Sequence, residues 1–205
     1  MTQRWGVTFS PAIIATPLYE YGIQPGIEYR LSQRFYLLAE PTFITGNDNK
    51  DKSAINRKYF RFRTELKYML PHGSRRFHEY LAIQLSYAYR RFTHIDGRYF
   101  NGHTIDTVAT IFTKANVKSP VSALAFLYVF DFYPFKKFYV ETFAGLGIRN
   151  INTHYYNVEN PQVVPYQTPK DKVFLTPDDA DQFNASIYRF HLSAGIRLLY
   201  RFNNR

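Results

Sequence analysis

Apolar residues fall on every second position over long runs of this chain. "SAGIRLLYRF" shows the pattern: Ala194, Ile196, Leu198, Tyr200 and Phe202 share one face, and Ser193, Gly195, Arg197, Leu199 and Arg201 share the other. A repeat of two is the signature of a strand with two different faces. Eight such segments follow one another, at Gln3–Ile14, Tyr19–Leu31, Arg34–Gly46, Asn56–Leu70, Arg76–Thr93, Pro120–Tyr133, Lys137–Asn152 and Ser186–Asn203. Most exceed the ~5–6 residues usual for a globular strand. No helical period, sequence repeat or low-complexity stretch interrupts them.

The connections alternate in length. "SQ", "PHGSR" and "PFKK" are brief, whereas "GNDNKDKSAI" and the intervals from His94 to Ser119 and from Ile151 to Ala185 are long. Short turns at one end and long loops at the other predict an up-and-down antiparallel β-barrel of the outer-membrane kind. An even strand number places both termini on the short-turn side. The whole chain, residues 1–205, reads as a single all-β domain.

Alternation does not say which face is inside. A soluble barrel of the lipocalin sort hides its apolar face, whereas a membrane barrel shows that face to lipid. Volume favours the second arrangement. One face of the fifth segment carries Leu81, Ile83, Leu85, Tyr87 and Tyr89, and one face of the sixth carries Leu124, Phe126, Tyr128, Phe130 and Phe132. The interior of an eight-stranded barrel is only just wide enough for side chains, too narrow for so many large groups per strand. The opposite face holds Gly22, Gly26, Ser86, Ala88, Gly145, Gly147, Ser193 and Gly195, small residues suited to a crowded interior. Glu28, Asp131, Arg189 and Arg201 share that face with charges expected to form a lumen network: Glu40, Arg61, Arg63, Glu65, Lys67, Glu141, Arg149 and Arg197. Buried charges need partners, and both signs are present.

Aromatics recur on the apolar face at the short-turn end of every segment: Trp5, Tyr29, Phe35, Tyr68, Phe77, Phe132, Phe138 and Tyr200 with Phe202. Amphipathic rings favour the membrane–water interface, so the series predicts an aromatic girdle. Tyr21, Phe43, Phe60, Tyr87 and Tyr188 suggest a looser outer one.

In pattern and architecture the chain resembles small outer-membrane barrels of the OmpA/OmpX type. The sharpest match is terminal: polar Ser193, Gly195, apolar Leu198 and aromatic Tyr200 stand at the spacing of that family's last-strand signal. Phe202 is followed by Asn203, Asn204 and Arg205 rather than closing the chain. The resemblance implies that the barrel-assembly machinery reads this strand. It also implies residence in the outer membrane of a Gram-negative bacterium, among lipid and lipopolysaccharide.

Composition adds limits. The chain has 205 residues, a formal charge of +10 and 19% aromatic residues. The charge suggests an anionic neighbour. With no Cys there is no disulfide, thiolate metal site or cysteine nucleophile. No run reaches the ~18–20 apolar residues of a membrane helix. "MTQRWGVTFS" lacks the apolar core of a signal peptide, so the numbering is expected to be that of a mature chain if the protein is exported.

Little points to chemistry. His191 and Ser193 are two apart on one face, and barrel lipid A deacylases of the PagL type use a His-x-Ser pair with a carboxylate. Here the pair shares parity with Arg189, Arg197 and Arg201, so it faces the lumen rather than lipid. Ala194 stands where that family has Asn. His78, His94, His103 and His154 lack metal-ligand spacing, and "GNDNKDK" lacks the Gly and distal Glu of a calcium loop. Phe60 and Phe62 lie opposite Arg61 and Arg63, which argues against a nucleic-acid platform. No catalytic residue, metal or cofactor is expected. The expectation is a non-enzymatic barrel with a plugged, charged lumen and no wide pore, serving as an accessory subunit among other outer-membrane proteins. The alternatives are a lipid A acyl hydrolase using His191 and Ser193, and a surface adhesin acting through the long loops. "TIDTVATIFT" in the first of those loops is expected to extend a strand above the membrane or augment a partner's edge.

Overall fold

In the computed structural model of the protein, the described residues are 5–14, 20–47, 54–71, 77–102, 108–135, 137–165 and 182–202. They form β1 (Trp5–Ile14), β2 (Glu20–Arg30), β3 (Phe35–Asn47), β4 (Ala54–Met69), β5 (Phe77–Tyr99), β6 (Val108–Lys118), β7 (Val121–Phe135), β8 (Phe138–Asn152), β9 (His154–Glu159), β10 (Gln162–Pro165) and β11 (Ser186–Arg201). All ladder pairings are antiparallel. Among the described residues no helix is long and apolar enough to cross a membrane, which says nothing of strands.

Eight of the strands close a ring in the order β1-β2-β3-β4-β5-β7-β8-β11 and back to β1. Gly6↔Arg201 to Phe9↔Leu198 make the closing seam. We call the end with Trp5 and Tyr200 lower and the opposite end upper. Parity then sorts the side chains. Inward lie buried Glu28, Glu40, Glu65, Lys67, Gln84, Asp131, Glu141 and Arg197. Outward lie Leu81, Ile83, Leu85, Phe126, Leu146, Phe190, Leu192 and Ile196, all exposed. Phe126, Phe190 and Leu192 each expose more than 60% of their surface, so none of the described residues covers this belt.

Close strand approach requires glycine in β8. A Cβ on Gly145 or Gly147 would fall on the carbonyl oxygen of Phe126 or Leu124 in β7. The interior also contains an apolar cluster of Tyr36, Tyr80, Ala82, Ala125, Leu127, Val129 and Phe143.

Three of the eleven strands lie off the ring. β5 is 23 residues long and changes partners along its length. It pairs with β7 from Phe77 to Ala88, then with β6 from Arg91 to Tyr99. The other edge of β6 takes β9 and β10, so a small sheet stands on the upper end. It has its own core of Ala54, Phe92, Phe112, Ala115, Val117 and Tyr155. Asp96 (φ 48°), Asn157 (φ 50°) and Asn160 (φ 50°) take left-handed backbone in this region, which Asp and Asn tolerate best. The intervals expected as long loops therefore contain ordered strands, and "TIDTVATIFT" ends in the first half of β6. Alternation there is masked because Lys114 and Asn116 fall among the apolar positions, and Asn160 and Pro161 break the period between β9 and β10. Most of "GNDNKDK", His103 and residues 166–181 lie outside the described residues.

Candidate functional site

The inward charges form one connected network. Strands β4 and β11 occupy the fourth and eighth places of the ring, so they face each other across it. Arg197 on β11 spans that gap. Its Nη1 and Nη2 donate to the two Glu65 oxygens on β4 at 2.9 and 2.8 Å, a bidentate pair. Nη1 also donates to Glu141 Oε1 at 2.5 Å. Lys67 Nζ donates to Glu141 Oε2 at 2.6 Å and to Glu28 Oε2 at 3.0 Å. Arg201 Nε donates to Glu28 Oε1 at 2.9 Å, and its Nη1 lies 3.2 Å from Asp131 Oδ2. Higher up, Arg63 is ion-paired with Glu40, which also accepts from Thr8 Oγ1 at 2.9 Å. Gln84 Nε2 donates to Glu65 Oε1 at 2.8 Å. Each of these charges is paired with at least one counter-charge, the arrangement that makes burial of ions tolerable, and within the network Arg197 Nε and Asp131 Oδ1 are left without a hydrogen bond.

Aromatic rings seal the network. The guanidiniums of Arg197 (4.5 Å) and Arg63 (4.9 Å) both lie over the Phe143 ring, and that of Arg201 lies over Tyr139 (4.3 Å) and Tyr36 (5.3 Å). Gly195 makes room for Phe143, because a Cβ there would stand 2.6 Å from the ring. Gly195→Ala is therefore expected to cost about 1–3 kcal/mol by overpacking. The double variant with Phe143→Leu should recover part of that loss in urea unfolding. Equal losses with and without Phe143→Leu would show that the ring is not what Gly195 accommodates.

Of the residues expected in the network, Glu40, Arg63, Glu65, Lys67, Glu141 and Arg197 are brought together. Arg61 and Arg149 sit half-buried nearer the upper end instead. Glu28, Asp131 and Arg201 do join, as their inward parity permits. Sequence reasoning misses Gln84, Tyr80 and Thr8. Their only signal is parity, because nothing in the sequence states which residues meet across a ring.

The expected girdle residues meet as four directly registered cross-strand pairs at the lower end. Trp5 and Tyr29 have ring centroids 4.4 Å apart, Phe35 and Tyr68 5.2 Å, Phe77 and Phe132 5.3 Å, and Phe138 and Tyr200 5.0 Å. Phe202 packs edge-on against Tyr200 at 5.2 Å. Each pair joins two strands that no lower turn connects, so the rings clasp the pairings that lack a local tether. Of the second series, Phe43, Phe60, Tyr87 and Tyr188 are exposed on the outward face, and the side chain of Tyr21 lies outside the described ones.

In the terminal strand, Leu198 and Phe202 face outward and Ser193 and Gly195 inward. Ser193 is buried, and its Oγ donates to Gln84 Oε1 at 2.9 Å. His191 Nε2 is buried without a hydrogen-bond partner. The serine hydroxyl is thus held by a glutamine, on the inner face of the ring.

No protein-family model matches the chain, and no curated protein matches it in sequence. Among solved structures it is similar to a major outer membrane protein from Thermus thermophilus. The TM-score is 0.54 and the identity 10%, over 98% of this chain and 100% of that one. The likeness is one of fold: an antiparallel all-β sheet with a ring through eight strands.

Proposed function

We propose that this chain is an eight-stranded, up-and-down outer-membrane β-barrel of OmpA/OmpX-like architecture, in a Gram-negative bacterium. One observation carries the reading: polarity is inverted, with paired charges filling the ring and large apolar side chains exposed around it. Soluble monomers rarely expose contiguous apolar patches beyond a few hundred Å². Lipid satisfies such a belt, and the aromatic pairs mark its lower boundary, on the periplasmic side.

The role is structural rather than catalytic. The cross-ring network plugs the lumen, so the barrel offers no wide pore. Ser193's bond to Gln84 supports a packing role over that of a nucleophile. The barrel then serves as an accessory subunit, and the sheet of β6, β9 and β10 stands outside the membrane as the surface most available to partner proteins. During biogenesis the barrel-assembly machinery recognises the terminal strand through Ser193, Gly195, Leu198, Tyr200 and Phe202. Lipopolysaccharide is the expected lipid neighbour, and nucleic acid is not a partner.

Mild-detergent purification from native membranes, with mass spectrometry of what accompanies the chain, tests the subunit role. The expected result is one or more outer-membrane proteins in fixed ratio, released when β9 and β10 are deleted. Recovery of the barrel with lipid alone would overturn it. Porin-sized conductance in a planar bilayer would overturn the plug.

A further inference from the structure

The interior changes character toward the upper end. Below, Glu28, Glu40, Glu65, Asp131 and Glu141 lie among Arg63, Lys67, Arg197 and Arg201, acids and bases interleaved. Above, the next inward charges include Arg61 on β4, Arg149 on β8, and His191 and Arg189 on β11, beside neutral Gln24 and Thr42. These four are all basic. Arg189 stands directly opposite Arg149 in the β8–β11 ladder, and like charges in that relation repel. Arg61 approaches from the facing wall, and His191 lies within electrostatic range of both Arg61 and Arg149. Arg61, Arg149 and His191 therefore share one region of the interior, and Arg189 adjoins it through Arg149.

Small residues neighbour these groups, and two of their nitrogens are unmatched. Gly147 is in register with His191, Ala123 with Arg149 and Ala88 with Arg61, so the wall between the basic groups is small. Among the described side chains, no carboxylate pairs with Arg61 or Arg189. Arg189 Nε and His191 Nε2 are buried with no hydrogen-bond partner. Buried polar atoms are nearly always satisfied, and the unmatched Arg189 Nε–H beside a second guanidinium is a donor that calls for an acceptor. Guanidiniums bind tetrahedral oxyanions by parallel N–H···O bonds. A phosphate group, with close to two negative charges at neutral pH, answers several at once.

We propose that Arg61, Arg149, Arg189 and His191 form a binding site for a phosphate group in the upper interior of the ring. The site goes beyond the structural role and rests on the ring geometry alone. The phosphate comes either from a soluble phosphate ester or from the head group of a phosphorylated lipid.

The test uses the full chain, folded in dodecyl maltoside and checked by heat-modifiable gel mobility. Inorganic pyrophosphate is titrated by calorimetry. Saturable binding is expected, weakened about tenfold or more in R61Q/R189Q, since charge-assisted bonds are the strong ones. The charge-matched K58Q/K114Q variant, changed only at exposed lysines, should bind like the parent. Without pyrophosphate, R189Q should unfold at the same temperature as the parent or higher, because repulsion from Arg149 is relieved. Absence of binding by the folded parent overturns the proposal, as does equal binding by R61Q/R189Q. A clear fall in the R189Q midpoint overturns it too, by placing Arg189 in a structural pairing. Competition by monophosphorylated lipid A in phosphatidylcholine nanodiscs, lost in R61Q/R189Q, identifies a lipid source. Pyrophosphate binding without such competition identifies a soluble one. Loss of the gel-mobility shift in the parent would instead count against the barrel reading.

Discussion

Arg197→Met is expected to lower the free energy of unfolding by about 3–5 kcal/mol, the range for removing one partner of a buried ion network. Arg197 is fully buried and joins Glu65 and Glu141, which come from β4 and β8. Methionine fills much of the volume but leaves these carboxylates facing one another with fewer cations. Lys67 still holds Glu141, and Gln84 still donates to Glu65, so the protein should fold and the loss should be measurable. Phe143 also loses one of its two guanidinium neighbours. Trp5, the one tryptophan, lies exposed on the outer face at the lower end and reports unfolding by fluorescence. Urea titration in lipid vesicles gives the number. The triple variant Arg197→Met, Glu65→Gln, Glu141→Gln should recover stability, because the cost comes from unpaired charge rather than lost volume. A single variant within about 1 kcal/mol of the parent would place this network with weak surface pairs and remove its structural importance.

The division between what the sequence discloses and what it hides follows from what period-two patterns encode. Parity is a local property. It places Leu81, Ile83 and Leu85 outside and Glu65, Lys67 and Arg197 inside without any knowledge of neighbours. The girdle is legible for the same reason, since Trp5, Tyr29, Phe35 and the rest combine parity with a position near a turn. Partnership across the ring is not local. That Arg197 meets Glu65 and Glu141, or that Lys67 bridges Glu28 and Glu141, depends on stagger and ring closure, which no stretch of residues states. Tyr36 and Tyr80 show another limit: the aromatic series draws attention to the outward face, yet these two are buried inside beside Arg201. Composition hides the upper sheet. β6 buries Ala109, Thr110, Phe112, Ala115 and Val117, a set whose spacing slips, so no clean alternation survives. The uniform sign of the upper interior charges becomes visible only when Arg149 and Arg189 are seen in register.

Gly145→Val with Gly147→Val is expected to prevent closure of the ring. These glycines face inward on β8, in register with Leu127 and Ala125 of β7. A Cβ at either would coincide with a β7 carbonyl oxygen, and backbone cannot swing aside as a flexible side chain can. β8 would have to withdraw from β7, breaking ladder bonds next to Glu141, the carboxylate shared by Arg197 and Lys67. Overpacking alone costs about 1–3 kcal/mol per site. Here the lost ladder adds to it, and the double variant should run as unfolded chain on a heat-modifiability gel. Ala144→Val with Leu146→Val, on the outward face of the same strand, should fold, because nothing of the ring lies over those positions. Equal folding of both pairs would mean that β7 and β8 can separate without loss, and that the strands' close approach is not what these glycines secure.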